Sequence, residues 1–539
     1  MGVIQIFIDQ TIDAFKGMTT FQGFDGFCNA LASLLWSPPL VILLVCTGIY
    51  FSIRMAFPQV RKIKKMVTLL FGGSSSEKGV SSFQAFAMAV AGRVGTGNIV
   101  GVATAIAYGG PGAVFWMWMI AFLGSGSAFV EATLAQIYKD EIDGEYRGSP
   151  ALYFGKRGLG GLKIVFIVAC IVGCGIALPG IQSNAIATAI HENFGVSSYI
   201  PMIITVVLLA LIIIGGTKSI AKAAEVIVPF MSGIYILAAI IIIIVNIGEL
   251  PRVLGDIFGG ALGLKQALAG TLGWAILWGV KRGVFSNEAG QGTAPHVAAA
   301  AEVSHPAKQG LVQAFSVYFD TLFVCSATAF AILMTGTYQV FKTSEGADAN
   351  GIFQTYADHT STIFANVNGK DFTGSAESIS MFTPQAFNTL IHGFGGKFVA
   401  ISLFFFAFTT LMALYYYAES DLLILLEKKT AATRKAATWI LKIIYLFVTG
   451  FFAIQSNAVA WAVADIGVAC MAWINVIGIL IIAAPAIICF KDYERREKAG
   501  TEDEFFTIDS LSEEEQKAFK GVTFWHTGDA KKVHAQAKE

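Results

Sequence analysis

Apolar stretches long enough to cross a bilayer recur along almost the whole of this 539-residue chain, and that recurrence limits its possible folds more than any other feature. A hydrocarbon core of roughly 30 Å takes about 20 residues of helix to cross. No water there satisfies a backbone N–H or C=O, so only helices and closed barrels can span it. The ten-residue alternating strands of a barrel are absent. Hydrophobic residues make up 55% of the chain and charged residues 14%, against about 25% charged in soluble domains. The expected class is an all-α polytopic membrane protein embedded in a lipid bilayer.

Apolar runs between polar breaks predict eleven helices, at 37–57, 81–107, 112–137, 161–190, 199–215, 223–246, 266–300, 310–334, 395–426, 436–455 and 459–489. Residues 1–36 lack a signal-peptide pattern and read as an amphipathic segment lying on the membrane surface. The basic loop 58–80, with Arg61, Lys62, Lys64, Lys65 and Lys78, belongs on the cytoplasmic side of an inner or plasma membrane. Alternating from there places eighteen basic residues inside and six outside, with the N-terminus outside and the C-terminus cytoplasmic. The tail 490–539, mixed in charge from Glu502 onward, reads as solvated. A net charge of zero gives no pointer to nucleic acid. The seven cysteines form no CxxC pair, and Cys170, Cys174, Cys325 and Cys470 lie in apolar stretches, where small core residues are expected rather than metal or redox groups.

Setting the first helix aside leaves five (81–246) followed by five (266–489). Because five is odd, the second set crosses the membrane in the opposite sense to the first, the arrangement of an inverted repeat. The opening helix of each set is interrupted by glycine: Gly92 to Asn98 in the first, Gly279 to Gly292 in the second. Glycine-interrupted helices at matching places in two halves point to a transporter's binding site. An unwound turn frees backbone groups that hydrocarbon cannot satisfy, at several kcal/mol each. Half-helix N-termini offer N–H donors to a carboxylate, and freed carbonyls hold a cation or an ammonium. A zwitterionic amino acid fits both ends. Close helix packing is the other use of such glycines.

At these residues the chain resembles the alanine or glycine:cation symporter family. The resemblance is carried by Gly92-Arg93-Val94-Gly95-Thr96-Gly97-Asn98, Gly109-Gly110-Pro111-Gly112 with Phe115-Trp116-Met117-Trp118, Gly279 to Pro295, Phe406-Ala407-Phe408-Thr409-Thr410, Tyr416-Tyr417-Ala418-Glu419 and Ala464-Asp465. It implies a LeuT-like core of ten helices plus one extra N-terminal helix, working by alternating access driven by sodium or, less often, protons; a monomer with no cofactor, using sodium as the coupling ion, is expected. Segment 335–394 and the stretch after Asp465 depart from the family's commoner pattern.

Roles follow from the two readings together. The substrate carboxylate is expected on the backbone of Thr96, Gly97 and Asn98, with the Thr96 hydroxyl as a further donor and Gly92, Gly279 and Gly283 leaving room. Its ammonium is expected at freed carbonyls near Trp278 and Gly279 and at the Gln182 amide, on a helix broken at Pro179-Gly180; a structural helix–helix bond is the alternative for Gln182. Trp278 and Phe285 are candidates to close the pocket. For sodium, the resemblance implies the carbonyls of Ala91, Val94 and Phe406 with the hydroxyls of Thr409 and Thr410, the latter also beside the substrate. Intramembrane charges are costly and mark functional sites; Arg93, Glu131, Lys281, Arg282, Glu288, Asp320 and Asp465 qualify. Glu288 is expected to pair with a basic residue, Arg93 among the candidates, as a latch on the cytoplasmic gate or as a structural ion pair.

The expected function is sodium-coupled import of a small neutral amino acid: alanine, with glycine or D-alanine as further substrates. A proton-coupled or glutamine carrier of the same fold is the alternative. A channel would need a continuous polar path. An enzyme would need a catalytic constellation, and His191, His296, His305 and His392 fall in unrelated contexts, with Pro295-His296 expected to end the second broken helix.

Overall fold

A computed structural model describes residues 3–20, 23–72, 75–264, 272–342, 352, 354–355, 371–455 and 457–528. The start of the expected 266–300 helix, most of the middle of segment 335–394 and the end of the tail lie outside the described residues.

Among the described residues, eight helices are long and apolar enough to cross a membrane: Gly26–Arg54, Gly112–Ile137, Gly160–Phe194, Gly216–Val245, Pro306–Thr335, Gly395–Leu425, Ala431–Ala453 and Trp461–Ile482. A ninth candidate is the pair Ser82–Arg93 and Gly97–Gly109, bent by 54° at the first glycine break. The protein is thus a helical polytopic membrane protein, with eight or nine such spans among the described residues where eleven were expected over the whole chain. Of the other two, Tyr199–Ile214 has only 16 residues, about 24 Å of helix. Leu272–Asn287 has 16 described residues, follows directly on residues outside the description and carries Lys281 and Arg282.

The helices sort by what they face. Ser82–Arg93 and the middle of Gly395–Leu425 are buried nearly all round. Tyr199–Ile214, Gly216–Val245 and Ala431–Ala453 expose rows of large apolar side chains, among them Leu211, Val226, Ile244, Ile443 and Phe447, as an outer shell suited to lipid. Inside that shell, helix 112–137 packs on both Leu272–Asn287 and Pro306–Tyr318, 160–194 packs on 395–425, and Val102–Gly109 packs on Leu272–Asn287.

Glycine sets how closely these helices approach. Gly279 and Gly283, expected at the substrate, instead face helix 112–137: a Cβ on Gly279 would lie 2.5 Å from the Ala113 carbonyl oxygen, and one on Gly283 would lie 2.5 Å from Ile120. Backbone cannot give way as a side-chain tip can. Gly279→Val is therefore expected to destabilise by about 1–3 kcal/mol or more through overpacking, read as a lower melting temperature in detergent with the solubilised yield reduced.

The two interruptions differ in form. Ser82–Arg93 opens on a capping box, Ser81 accepting from the Gln84 N–H at 3.1 Å while the Gln84 amide oxygen takes the Ser81 N–H. It ends at Val94, and a π-helical turn at Gly97–Gly101 leads into the second half. In the second half of the chain the helix runs unbroken from Leu272 to Asn287, so Trp278, Gly279 and Gly283 free no carbonyls. The unwound stretch lies at 288–293, where Glu288 (φ 56°), Gly290 (84°) and Gly292 (83°) adopt left-handed backbone conformations. For a glutamate this is uncommon and strained. Pro295 then starts rather than ends a helix, Ala294–Ala300, in the first-turn position where its missing N–H costs nothing. Likewise Pro179-Gly180 does not break its helix. A π-helical turn at Gly173–Ala177 absorbs the proline, and Gly160–Phe194 continues.

Loops and tail meet at one end, here termed the tail side. Arg61 pairs with Glu494 at 2.9 Å, Lys65 with Glu502 at 3.1 Å, Lys308 with Asp503 at 2.6 Å and Lys163 with Glu427 at 3.2 Å. The described part of the tail is not solvated as expected but packed. Phe506 and Trp525 are fully buried, the Trp525 indole N–H donates to Gln136 O at 2.7 Å, and Phe506 N–H donates to Ser304 O at 2.8 Å. Five aromatic residues scattered through a charged sequence carry this docking, and charge content hid them. At the other end, the Val3–Thr20 and Gly23–Leu35 helices lead to Trp36, whose indole N–H donates to Asp465 O at 2.9 Å.

One titration bears on the tail. His305, beside Phe506 and Tyr493, takes the Ala307 N–H on Nδ1 at 3.1 Å and turns Nε2 to Asp492 at 3.3 Å. Burial pushes its pKa down to about 4, against the partial help of Asp492. The unfolded or undocked state therefore binds more protons between that value and about 6.5, so stability is present above that window and is lost as pH falls through it. Lowering pH from 7 to 5 is expected to remove about 2 kcal/mol from tail docking, seen as faster proteolysis within 503–528. A His305→Gln variant would lose that pH response.

Candidate functional site

The polar groups freed at the two breaks meet one another at the centre of the molecule, and most find a specific partner. Around the first break, the Thr410 hydroxyl lies 3.0 Å from Ala91 O, 3.3 Å from Val94 O and 3.0 Å from Phe406 O. A hydroxyl has one proton, so it cannot satisfy three carbonyls. Phe406 O belongs to the preceding turn of the hydroxyl's own helix, whereas Ala91 O and Val94 O come from the broken helix and, with the hydroxyl, offer the hard oxygen donors that a cation such as sodium takes. Thr409 is not part of this group. Its hydroxyl turns to Phe406 O at 2.9 Å and toward the Met231 sulfur at 3.8 Å, bonding the preceding turn of its own helix.

Within the break, Gly95 N–H donates to Asn98 Oδ1 at 2.9 Å and Thr96 N–H to Gln182 Oε1 at 3.2 Å. The Gln182 oxygen, expected on the substrate ammonium, therefore sits on a donor expected for the substrate carboxylate. It keeps a second lone pair for an ammonium. The Thr96 hydroxyl is buried without a partner. Glycine is required at 95, where a Cβ would lie 2.5 Å from the Thr410 hydroxyl and 3.0 Å from Gln182 Oε1; at 97 it would crowd Ser286 and Phe285.

Asp320 joins the two breaks. Fully buried in a π-helical turn, it accepts from Asn98 Nδ2 at 2.7 Å, from the Ser286 hydroxyl at 3.0 Å and from Thr321 at 2.8 Å. The sequence marked it as a costly charge but gave no partner. Asn98 and Ser286 come from two other helices, while Thr321 is its neighbour in the same turn.

Carbonyls freed at the second break are also met. Arg93 Nε donates to Asn287 O at 2.6 Å, placing a cation on the C-terminal end of Leu272–Asn287, where the helix dipole favours one. Asn475 Nδ2 donates to Gly290 O at 3.0 Å and to Glu131 at 2.6 Å. Glu288 makes no ion pair among the described residues, contrary to the expected latch. Its Oε2 has no hydrogen-bond partner, and neither has Arg93 Nη2, because the main-chain carbonyl of Asn287 and the hydroxyl of Ser316 occupy the rest of the guanidinium.

A small cavity opens among these groups. Gly92, Arg93, Gly95 and Gly97 line it from the first break, Phe285, Glu288 and Gln291 from the second, and Gln182 and Thr410 from the helices behind, with Leu178, Leu414 and Val468 as apolar wall. Trp278 lies outside it. Phe285, which lines the cavity, leans on Trp461 at 5.4 Å and joins it to an ion cluster in aromatic packing: Asp465 takes Lys281 at 2.6 Å and Arg282 at 3.1 Å, and Trp278 stacks on Tyr108 at 4.7 Å.

The profile of the sodium:alanine symporter family matches residues 21–507. The chain belongs to that family. Among its relatives, a Bacillus subtilis protein that bears the provisional name sodium/proton-dependent alanine carrier protein YrbD is 48% identical over 504 residues, 93% of this chain and 97% of that one. Another Bacillus subtilis relative, provisionally named sodium/glutamine symporter GlnT, is 38% identical across 92% of this chain and 95% of its own length. Among solved structures, MhsT in complex with L-phenylalanine aligns at 14% identity with a TM-score of 0.49, covering 86% of this chain and 99% of that one.

Proposed function

We propose that this family member imports a small neutral amino acid, alanine foremost, coupled to sodium by alternating access through a LeuT-like five-plus-five inverted repeat with one additional N-terminal helix. The oxygen cluster at Thr410 is the observation that supports sodium: a hydroxyl facing three main-chain carbonyls offers the kind of oxygen donors a sodium ion takes. The repeat is supported by the packing of the two broken segments on each other and of helix 160–194 on its counterpart 395–425. In this reading the tail side is cytoplasmic, and the Asp465 cluster closes the outer path.

The substrate lies in the cavity beside Thr96, Gly97 and Asn98. Its carboxylate takes main-chain N–H groups and the partnerless Thr96 hydroxyl, displacing Gln182 from Thr96. Its ammonium takes the released Gln182 oxygen and faces the free Glu288 oxygen. Phe285, Leu178 and Leu414 give its side chain an apolar wall in a small cavity, which favours a methyl group. The protein acts as a monomer, with no cofactor.

The test is uptake of labelled alanine into proteoliposomes of the purified chain under an imposed sodium gradient, an imposed pH gradient, or both, with glutamine in parallel. Accumulation driven by sodium and competed by alanine supports the reading. Uptake indifferent to sodium, or preferring glutamine, overturns it.

A further inference from the structure

Three side chains that transport does not use meet behind the second break. Cys170 comes from helix Gly160–Phe194, His296 from Ala294–Ala300 and Asp421 from Gly395–Leu425, and all three are fully buried. Their ligating atoms lie within 4.8 Å of one another. His296 Nε2 is 3.4 Å from Asp421 Oδ1 and 3.9 Å from Cys170 Sγ.

Two features of the cluster point to a cation. Neither oxygen of Asp421 has a hydrogen-bond partner, although both are buried. A buried carboxylate without donors is costly unless a positive charge sits against it. The second feature is the histidine's orientation. Its Nδ1 lies 2.7 Å from Thr293 O, an acceptor, so Nδ1 carries the proton and the Nε2 lone pair faces Cys170 and Asp421. A ring nitrogen tied to a main-chain carbonyl while its other nitrogen is aimed into a cluster is the usual support of a metal-bound histidine.

The geometry and charge agree. Metal–ligand lengths of about 2.0–2.2 Å to nitrogen and oxygen and about 2.3 Å to sulfur, at tetrahedral angles, give edges of roughly 3.4 Å for His–Asp and 3.5 Å for His–Cys. The first matches the observed 3.4 Å, and the second is reached by a few tenths of an ångström of closure from 3.9 Å. A thiolate, a neutral imidazole and a carboxylate sum to two negative charges, which a divalent ion cancels in a buried site. The thiolate selects against sodium, magnesium and calcium, and the mixed sulfur, nitrogen and oxygen set suits zinc.

We propose that Cys170, His296 and Asp421 form a three-ligand site for a zinc-class divalent ion, with the fourth position left to water, and that the ion staples the Ala294–Ala300 helix to the two long helices behind it. This is independent of what the chain carries. It assigns a role to Cys170 and His296, for which sequence patterns point only to apolar packing and to a helix end.

The experiment uses the full chain produced in medium supplemented with cobalt or zinc and purified without chelator. Expected are about one metal per chain by elemental analysis and, for cobalt, a thiolate charge-transfer band in the near ultraviolet with the strong visible bands of tetrahedral coordination. Cys170→Ser should abolish the charge-transfer band, and Asp421→Asn should lower metal content at least tenfold while the chain still elutes as a folded species. Metal content no higher in wild type than in the Cys170→Ser/His296→Ala double variant overturns the proposal, and leaves a protonated histidine against Asp421 as the account of the cluster.

Discussion

Replacing Thr410 by valine is expected to raise the sodium concentration for half-maximal alanine uptake by roughly 10- to 100-fold, the loss of about 1.5–3 kcal/mol carried by one hydrogen-bond or ligand oxygen facing a charge. The substitution keeps the shape of the side chain and removes the one oxygen that faces Ala91 O, Val94 O and Phe406 O together. Thr409→Val is the matched control, since that hydroxyl serves only its own helix and Met231. Its sodium dependence should move less than about threefold, well under 1 kcal/mol. Uptake measured across a sodium titration in proteoliposomes separates the two. Equal shifts for both variants would show that the cluster at Thr410 is not where the coupling ion binds.

Asp465→Asn is expected to have the largest effect on the fold. It leaves Lys281 and Arg282, at 2.6 and 3.1 Å from one carboxylate oxygen, without a countercharge in a buried setting. Breaking a buried pair from one side costs about 3–5 kcal/mol, and here two cations are stranded. Trp36, Trp278 and Trp461 surround the cluster, so the loss is readable as a fall in the melting temperature followed by tryptophan fluorescence. Lys281→Met, which leaves the Arg282–Asp465 pair standing, should cost much less. A melting curve for Asp465→Asn matching wild type would mean that the cations find water and that the cluster is already open to it.

Why the sequence read some of this and missed the rest is a matter of range. Helix periodicity and the glycine interruption at 92–98 are local, and each was legible. The second break, expected over Gly279 to Gly292, begins about two and a half turns too early, because Gly279 and Gly283 look like helix breakers, whereas they are spacers against Ala113 and Ile120. Only the conformation of Glu288 through Gly292 reveals where the chain unwinds. Asp320 was recognisable as an expensive charge, but not as the group that holds Asn98 and Ser286 together. Lys281 and Arg282 were visible as a pair of cations, yet their partner lies more than 180 residues away in the chain. The tail misled for the opposite reason: its charges dominate the composition, and the aromatic residues that dock it are few.

Arg93 carries a consequence for leakage. Its guanidinium belongs to the tail-side half of the first broken helix and caps the end of Leu272–Asn287 through the Asn287 carbonyl. If that half-helix swung outward alone, it would strip the cap from its counterpart and expose both a bare carbonyl and a buried cation. Under the alternating-access reading proposed above, partial opening on one side is thereby penalised, and the two halves are expected to release together or stay shut. A carrier wired this way resists the half-open state through which sodium could slip without cargo and run the gradient down.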